Sequence, residues 1–138
     1  MTKNSVEYTI LDAKAAAGVG LAIPCQDFMH CVFTFATDGG SDAALTVKFQ
    51  AAYAEGATAG SPPDFAASQT VTNMWDYVEV IDLQSGSAID GDEGIAVATA
   101  DDYRQVEFNL NNAKYICARV TARTEGEVTV KAFLTNNV

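Results

Sequence analysis

The sequence predicts an all-β fold: a single domain over residues 1–138, built as an antiparallel, jelly-roll-like β-sandwich of about 8–9 strands. Apolar and polar residues alternate through most of the chain, the pattern of strands with one face on a core and the other in water. Turn-forming clusters such as DGGSD at 38–42 and NNAK at 111–114 separate these runs at short intervals. No amphipathic stretch reaches helical length.

A chain of 138 residues buries roughly two thirds of its unfolded surface, so it can hold a core without disulfide staples. Its three cysteines, Cys25, Cys31 and Cys117, are odd in number, lack paired spacing, and read as small buried hydrophobes. The net charge of -10 disfavours nucleic acid and anionic membrane as partners, because both attract basic patches. MTKNSVEYTI has no apolar signal core, and no apolar run is long enough to span a bilayer; synthesis in a cytosol is the expectation.

Taken in order, the predicted strands are 6–11, 18–24, 27–37, 44–53, 74–84, 95–99, 103–111, 115–123 and 127–135. LDAKAAAG at 11–18 fits either a helical turn or a close-packed bend. The strand DFMHCVFTFAT is apolar on both faces, with Phe28 and Val32 on one and Met29, Cys31, Phe33 and Phe35 on the other, so both sides need a cover. The long irregular stretch EGATAGSPPDFAASQT, 55–70, is either a connection across one end of the sandwich or an arm that orders against a neighbouring subunit with Phe65 as anchor.

The last two strands fix a register. A loop of Thr124, Glu125 and Gly126, with Gly126 left-handed, would pair Ala122 with Val128, Val120 with Val130, Ala118 with Ala132 and Ile116 with Leu134, giving a wholly apolar inner face. The outer face then pairs Arg123 with Glu127 and opposes Arg119 to Lys131, a like-charge pair that needs an acid nearby. If Leu110 opposes Ile116 across the NNAK turn, Glu107 falls opposite Arg119. Tyr115, Cys117 and Phe133 would gather at the far end of this outer face, forming an apolar patch fit for a subunit interface or for cover by the chain's own loop. Arg119, Arg123 and Glu127 would form its polar rim.

Charge is uneven. Asp76, Glu79, Asp82, Asp90, Asp92, Glu93, Asp101 and Asp102 follow one another without a base, and Arg104, Lys114, Arg119, Arg123 and Lys131 come after them. Within this run DGDEG offers a weak calcium candidate in Asp90, Asp92 and Glu93, but it breaks the EF-hand pattern and reads more simply as a solvent turn. A zinc set of Cys25, His30, Cys31 and Cys117 is opposed by alternation, which sends His30 and Cys31 to opposite faces. His30 is the one histidine, which excludes a histidine-rich metal site, and it reads as a buried or interfacial residue; no enzyme and no cofactor is expected. Trp75 and Tyr77 share a face and could stack on a sugar, although Ile81 and Leu83 continue that face as core.

The runs MWDYVEVIDLQSGSAIDGDEGIAV and DDYRQVEFNLNNAKYICARVTARTEGEVTV resemble small β-sandwich structural proteins of tailed bacteriophages, of the capsid decoration or cement type. The resemblance covers Met74 to about Val130 and rests on a tryptophan-led strand, an acidic glycine turn and a closing T-x-G-x-V-T-V hairpin. It implies a non-enzymatic virion protein, a homo-oligomer and most often a trimer, bound to the major capsid protein or another virion protein. The alternative is a carbohydrate-binding, lectin-like sandwich or a receptor-binding tail component using Trp75, Tyr77 and the acidic loop.

Overall fold

A computed structural model of the chain describes residues 4–38, 43–60, 62–63, 69–98 and 101–136. Among these residues are twelve strands, β1 (Ser5–Lys14), β2 (Gly18–Val19), β3 (Ile23–Pro24), β4 (His30–Asp38), β5 (Ala44–Ala52), β6 (Asp76–Tyr77), β7 (Val80–Asp82), β8 (Ala88–Ile89), β9 (Ile95–Ala98), β10 (Tyr103–Asn109), β11 (Tyr115–Glu125) and β12 (Glu127–Thr135). A short 3-10 turn covers Val71–Asn73. The strands form two antiparallel sheets: β1-β12-β4-β10-β7-β8, and β2-β11-β5-β6 with β3 also on β11 and β9 also on β5.

An all-β architecture of two antiparallel sheets therefore stands, with more strands than expected because two predicted runs are broken and because β8 (Ala88–Ile89) forms where no strand was predicted. The run 18–24 is interrupted at Gly20, whose backbone passes so close to the Ile10 carbonyl that Leu21 N–H donates to it at 2.9 Å. The run 74–84 changes sheets: β6 pairs with β5, whereas β7 pairs with β10. Residues 11–14 continue β1 as a bulged strand with Ala13 at φ 45°, not as a helical turn.

The core lies between the sheets, where Phe33, Phe35, Phe49, Ile10, Leu11, Ile95, Ile116, Val120, Val130 and Leu134 are enclosed, with the Phe33 and Phe49 rings stacked at 4.3 Å. A smaller cluster of Ala22, Ala52, Ala57, Trp75 and Cys117 lies apart from it.

β11 and β12 are joined at Gly126, which takes the left-handed φ of +85° expected of it, but the two strands do not form a hairpin. β11 pairs with β5, and β12 runs between β1 and β4 in the other sheet. Ile116, Ala118 and Val120 face Val130, Ala132 and Leu134 from opposite walls of the core, not as neighbours in one sheet. The inward parity survives because burying a row against the facing sheet satisfies the same alternation as burying it beside a paired strand. Ala122 departs from the row and is exposed, following a register shift between Val120 and Ala122. The NNAK turn also crosses between sheets, so Glu107 opposes Val32 and Ile81 rather than Arg119.

Candidate functional site

The sheet assignment separates the predicted patch. Tyr115 and Cys117 lie on the outer face of the second sheet, and Phe133 on the outer face of the first. Each outer face presents a different chemistry.

On the second sheet the chain covers itself. Cys117 is 0% exposed and packs with Trp75, also 0% exposed, whose ring stacks on Tyr115 at 6.2 Å. The cover comes from the segment between β5 and β6, so the described part of the predicted arm lies on its own sheet. Phe65, its expected anchor, lies outside the described residues.

The attachment is polar. Gln50, fully buried on β5, donates Nε2 to the Pro63 carbonyl at 2.9 Å and accepts from Arg119 Nε at 3.0 Å, while Arg119 Nη2 donates to the Pro62 carbonyl at 2.7 Å. The Cys117 thiol lies 3.6 Å from Gln50 Oε1. Burial pushes that thiol up to about 12, against the opposing influence of the Arg119 charge. Arg119 does face a like charge, but it is Lys48 of β5 rather than Lys131. Amide and carbonyl oxygens receive the guanidinium where an acid was expected, and the Lys48 ammonium lies 5.0 Å above the Tyr77 ring.

This arrangement overturns the sugar platform proposed for Trp75 and Tyr77, since an enclosed indole cannot stack on a ligand. Trp75 Nε1 meets no acceptor among the described residues. Gln50 is the residue that sequence reasoning missed. Its signal was a lone amide on the outward parity of VKFQAA, followed by alanines small enough to admit a covering segment.

Among the described residues nothing covers the outer face of the first sheet. One cross-strand row runs Glu7, Phe133, Val32, Glu107, Ile81, with Phe133 43% exposed. Lys131, one residue pair along β12, lies 3.8 Å from Glu7. His30 is exposed at the start of β4, opposite Thr135 and Asn109, rather than enclosed.

Beyond these faces, Arg104 answers part of the acidic run. Its guanidinium bonds Asp102 through two nitrogens and lies 3.6 Å from Asp82. The Asp102 bonds hold Arg104 still further above its ordinary range. Arg123 donates Nε to the Gly126 carbonyl at 3.0 Å, bracing the arch between β11 and β12, while Glu127 opposes Asp38.

In the acidic loop Asp90 Oδ1 accepts from the Asp92 N–H at 2.8 Å and the Asp90 carbonyl from the Gly94 N–H at 2.9 Å, a turn closed by its own backbone. Asp76, Glu79, Asp90 and Asp92 line a depression of about 380 Å³. Among the described residues no group of His, Cys, Asp and Glu is arranged to hold a metal ion, and this includes Asp90, Asp92 and Glu93. The imagined zinc set is dispersed: Cys25 and Cys31 are in the main core, Cys117 is under the covering segment, and His30 is at the surface.

No family model and no curated protein matches the chain. Solved structures do resemble it. The SPBc2 prophage-derived protein YomS superposes with a TM-score of 0.68 at 14% identity, over 98% of this chain and 96% of that one. The PBSX exported protein XepA gives a TM-score of 0.66 at 12% identity over 98% of this chain, which spans 39% of XepA's length. At these identities the likeness is one of fold: the chain is a two-sheet β-sandwich of the kind found in YomS and in part of XepA.

Proposed function

We propose that this chain is a non-enzymatic structural protein of a phage or prophage-encoded particle. In this reading it is a jelly-roll-like sandwich that self-associates, as a trimer, and seats on the major capsid protein or another virion protein as a decoration or cement subunit. The observation that carries the reading is the end-to-end match of fold to a prophage-derived protein, over 98% of this chain and 96% of that one. Many modest contacts repeated over a lattice would then reinforce the shell.

The contact surface assigned here is the open face of the first sheet, centred on Phe133 and Val32 between Glu7 and Glu107. An exposed phenylalanine flanked by carboxylates gives an apolar anchor inside a polar rim. Tyr115, Cys117 and Arg119 leave the interface, because the chain's own segment occupies their face.

Light scattering on the purified protein tests self-association, and Phe133→Ser tests the surface. The wild type is expected to be an oligomer. The variant is expected to be smaller yet folded, with each subunit destabilised by about 1–2 kcal/mol, since Phe133 is 43% exposed and lies on a strand paired on both sides. A monomeric wild type at high concentration rejects the assembly, and an unchanged oligomer in Phe133→Ser rejects this face. Mass spectrometry of purified particles from the encoding phage tests virion residence.

A further inference from the structure

The same open sheet carries a groove in the cross-strand rows directly beside the Phe133–Val32 row, two residues further along β4 at Thr34 and Ala36. It has a volume of about 540 Å³ and is lined by Thr34, Ala36, Leu83, Gln84, Tyr103 and Gln105, with Phe35 and Arg104 contributing from the same strands. That volume lies within the roughly 300–1,000 Å³ of small-molecule sites.

The register assembles the groove. Gln105 opposes Thr34 and Tyr103 opposes Ala36 across β10 and β4, and Leu83 N–H donates to the Gln105 carbonyl at 3.0 Å. Ala36 leaves the space beside Tyr103 unfilled, and the tyrosine is 71% exposed, the aromatic with the most uncovered surface among the exposed large hydrophobic residues. An exposed aromatic ring over a gap costs water-contacting apolar area that an occupant would recover.

The chemistry of the lining restricts that occupant. Thr34 supplies a hydroxyl and Gln84 and Gln105 supply amides, groups that both donate and accept and so match ligand hydroxyls. Arg104, the one cation among the described lining residues, is already bonded to Asp102 and lies near Asp82, and Lys131, opposite Thr34 on the neighbouring strand, lies 3.8 Å from Glu7. An anion would meet a neutralised guanidinium on a chain of net charge -10. A purely apolar ligand would leave the amides and hydroxyl without partners.

From these observations we infer that the Tyr103 groove binds a neutral saccharide, one or two pyranose units with an apolar ring face against Tyr103 and Leu83 and hydroxyls on Thr34, Gln84 and Gln105. This site is distinct from the buried Trp75–Tyr115 stack and lies along β4 and β10 from the Phe133–Val32 row.

The test is titration of the amide NMR spectrum with N-acetylglucosamine, chitotriose, maltotriose and cellobiose, each against sodium phosphate as an anion control. Saturable shifts confined to Thr34, Ala36, Leu83 and Gln105 with at least one saccharide are expected. Tyr103→Ala should weaken that binding at least about tenfold, the loss of one good contact. Phe133→Ser leaves every groove residue in place and should bind at least as tightly as the wild type, because loss of self-association can only uncover the neighbouring row. Absence of a saturable shift with all four sugars overturns the inference, as do shifts that persist in Tyr103→Ala. Displacement of the sugar by phosphate would make the groove an anion site on Arg104 and overturn it equally.

Discussion

Replacing Gln50 with leucine removes its bond to the covering segment and the bond that orients Arg119, leaving Arg119 Nη2 to the Pro62 carbonyl as the remaining tie. The side chain is fully buried, donates to the Pro63 carbonyl at 2.9 Å and accepts from Arg119 Nε at 3.0 Å. Leucine roughly keeps the volume but can make neither bond. Losing the amide–carbonyl bond costs about 1 kcal/mol and losing the bond from the charged guanidinium about 1.5–3 kcal/mol. Pro63 and Arg119 are both only partly enclosed, so water returns some of this. The net loss is about 2–3 kcal/mol, which at about 3 °C per kcal/mol for a domain of this size lowers Tm by about 6–9 °C.

Urea unfolding followed by the fluorescence of Trp75, the only tryptophan, measures the global change. Thiol labelling with mass mapping measures the local one. All three cysteines are buried in the native chain, Cys117 beneath the covering segment and Cys25 and Cys31 in the main core. Release of the segment should open Cys117 to the reagent while Cys25 and Cys31 stay protected. If the variant keeps its unfolding midpoint, or if the three thiols label together, the segment is not held by Gln50.

Other expectations follow from single positions. A Cβ on Gly20 would fall on the Ile10 carbonyl oxygen, well inside contact distance, so Gly20→Ala should destabilise by more than the about 1 kcal/mol typical of point changes, read from the urea midpoint. Burial raises the Cys25 and Cys117 thiols from 9.0 to about 12, so their contribution to stability is fully present below 9.0 and is lost as pH climbs towards about 12. Each thiol steepens that decline by at most about 1.4 kcal/mol per pH unit. Between about pH 8 and about pH 10.5, Cys117→Ala should therefore lose stability less steeply than the wild type in urea titrations, and equal slopes would place this thiol in contact with water.

The strand runs were legible because they rest on local alternation. Val128, Val130, Ala132 and Leu134 face inward as read, and so do Ile116, Ala118 and Val120. The Gly126 backbone was legible for the same reason, since a left-handed residue at a tight reversal favours glycine whatever the strands on either side go on to do. What the reversal joined was not legible. A hairpin and an arch between sheets bury the same residues, and only long-range pairing tells them apart: β11 with Lys48 and Gln50, β12 with Glu7 and Thr34. That difference moved Phe133 to the opposite side of the molecule from Tyr115 and Cys117 and left Arg119 without the acid expected from Glu107.

The outer faces show the same division. Outward parity at Cys117 and Phe133 was readable, but exposure was not, because Cys117 is covered by a segment many residues earlier and Phe133 is not covered by the described chain. The Tyr103 groove depended on Ala36 standing opposite Tyr103, a pairing between residues far apart in the chain.

By itself, the order of amino acids determined that this chain would be strands, where most of them run, and which side of each faces inward, since those are properties of a few neighbouring residues. Only the tertiary structure decided which strands share a sheet, which outward face the Pro62–Pro63 segment closes, and which stays open around Phe133 and Tyr103. Sheet pairing and surface cover depend on contacts between distant segments, and such contacts leave no mark on local alternation.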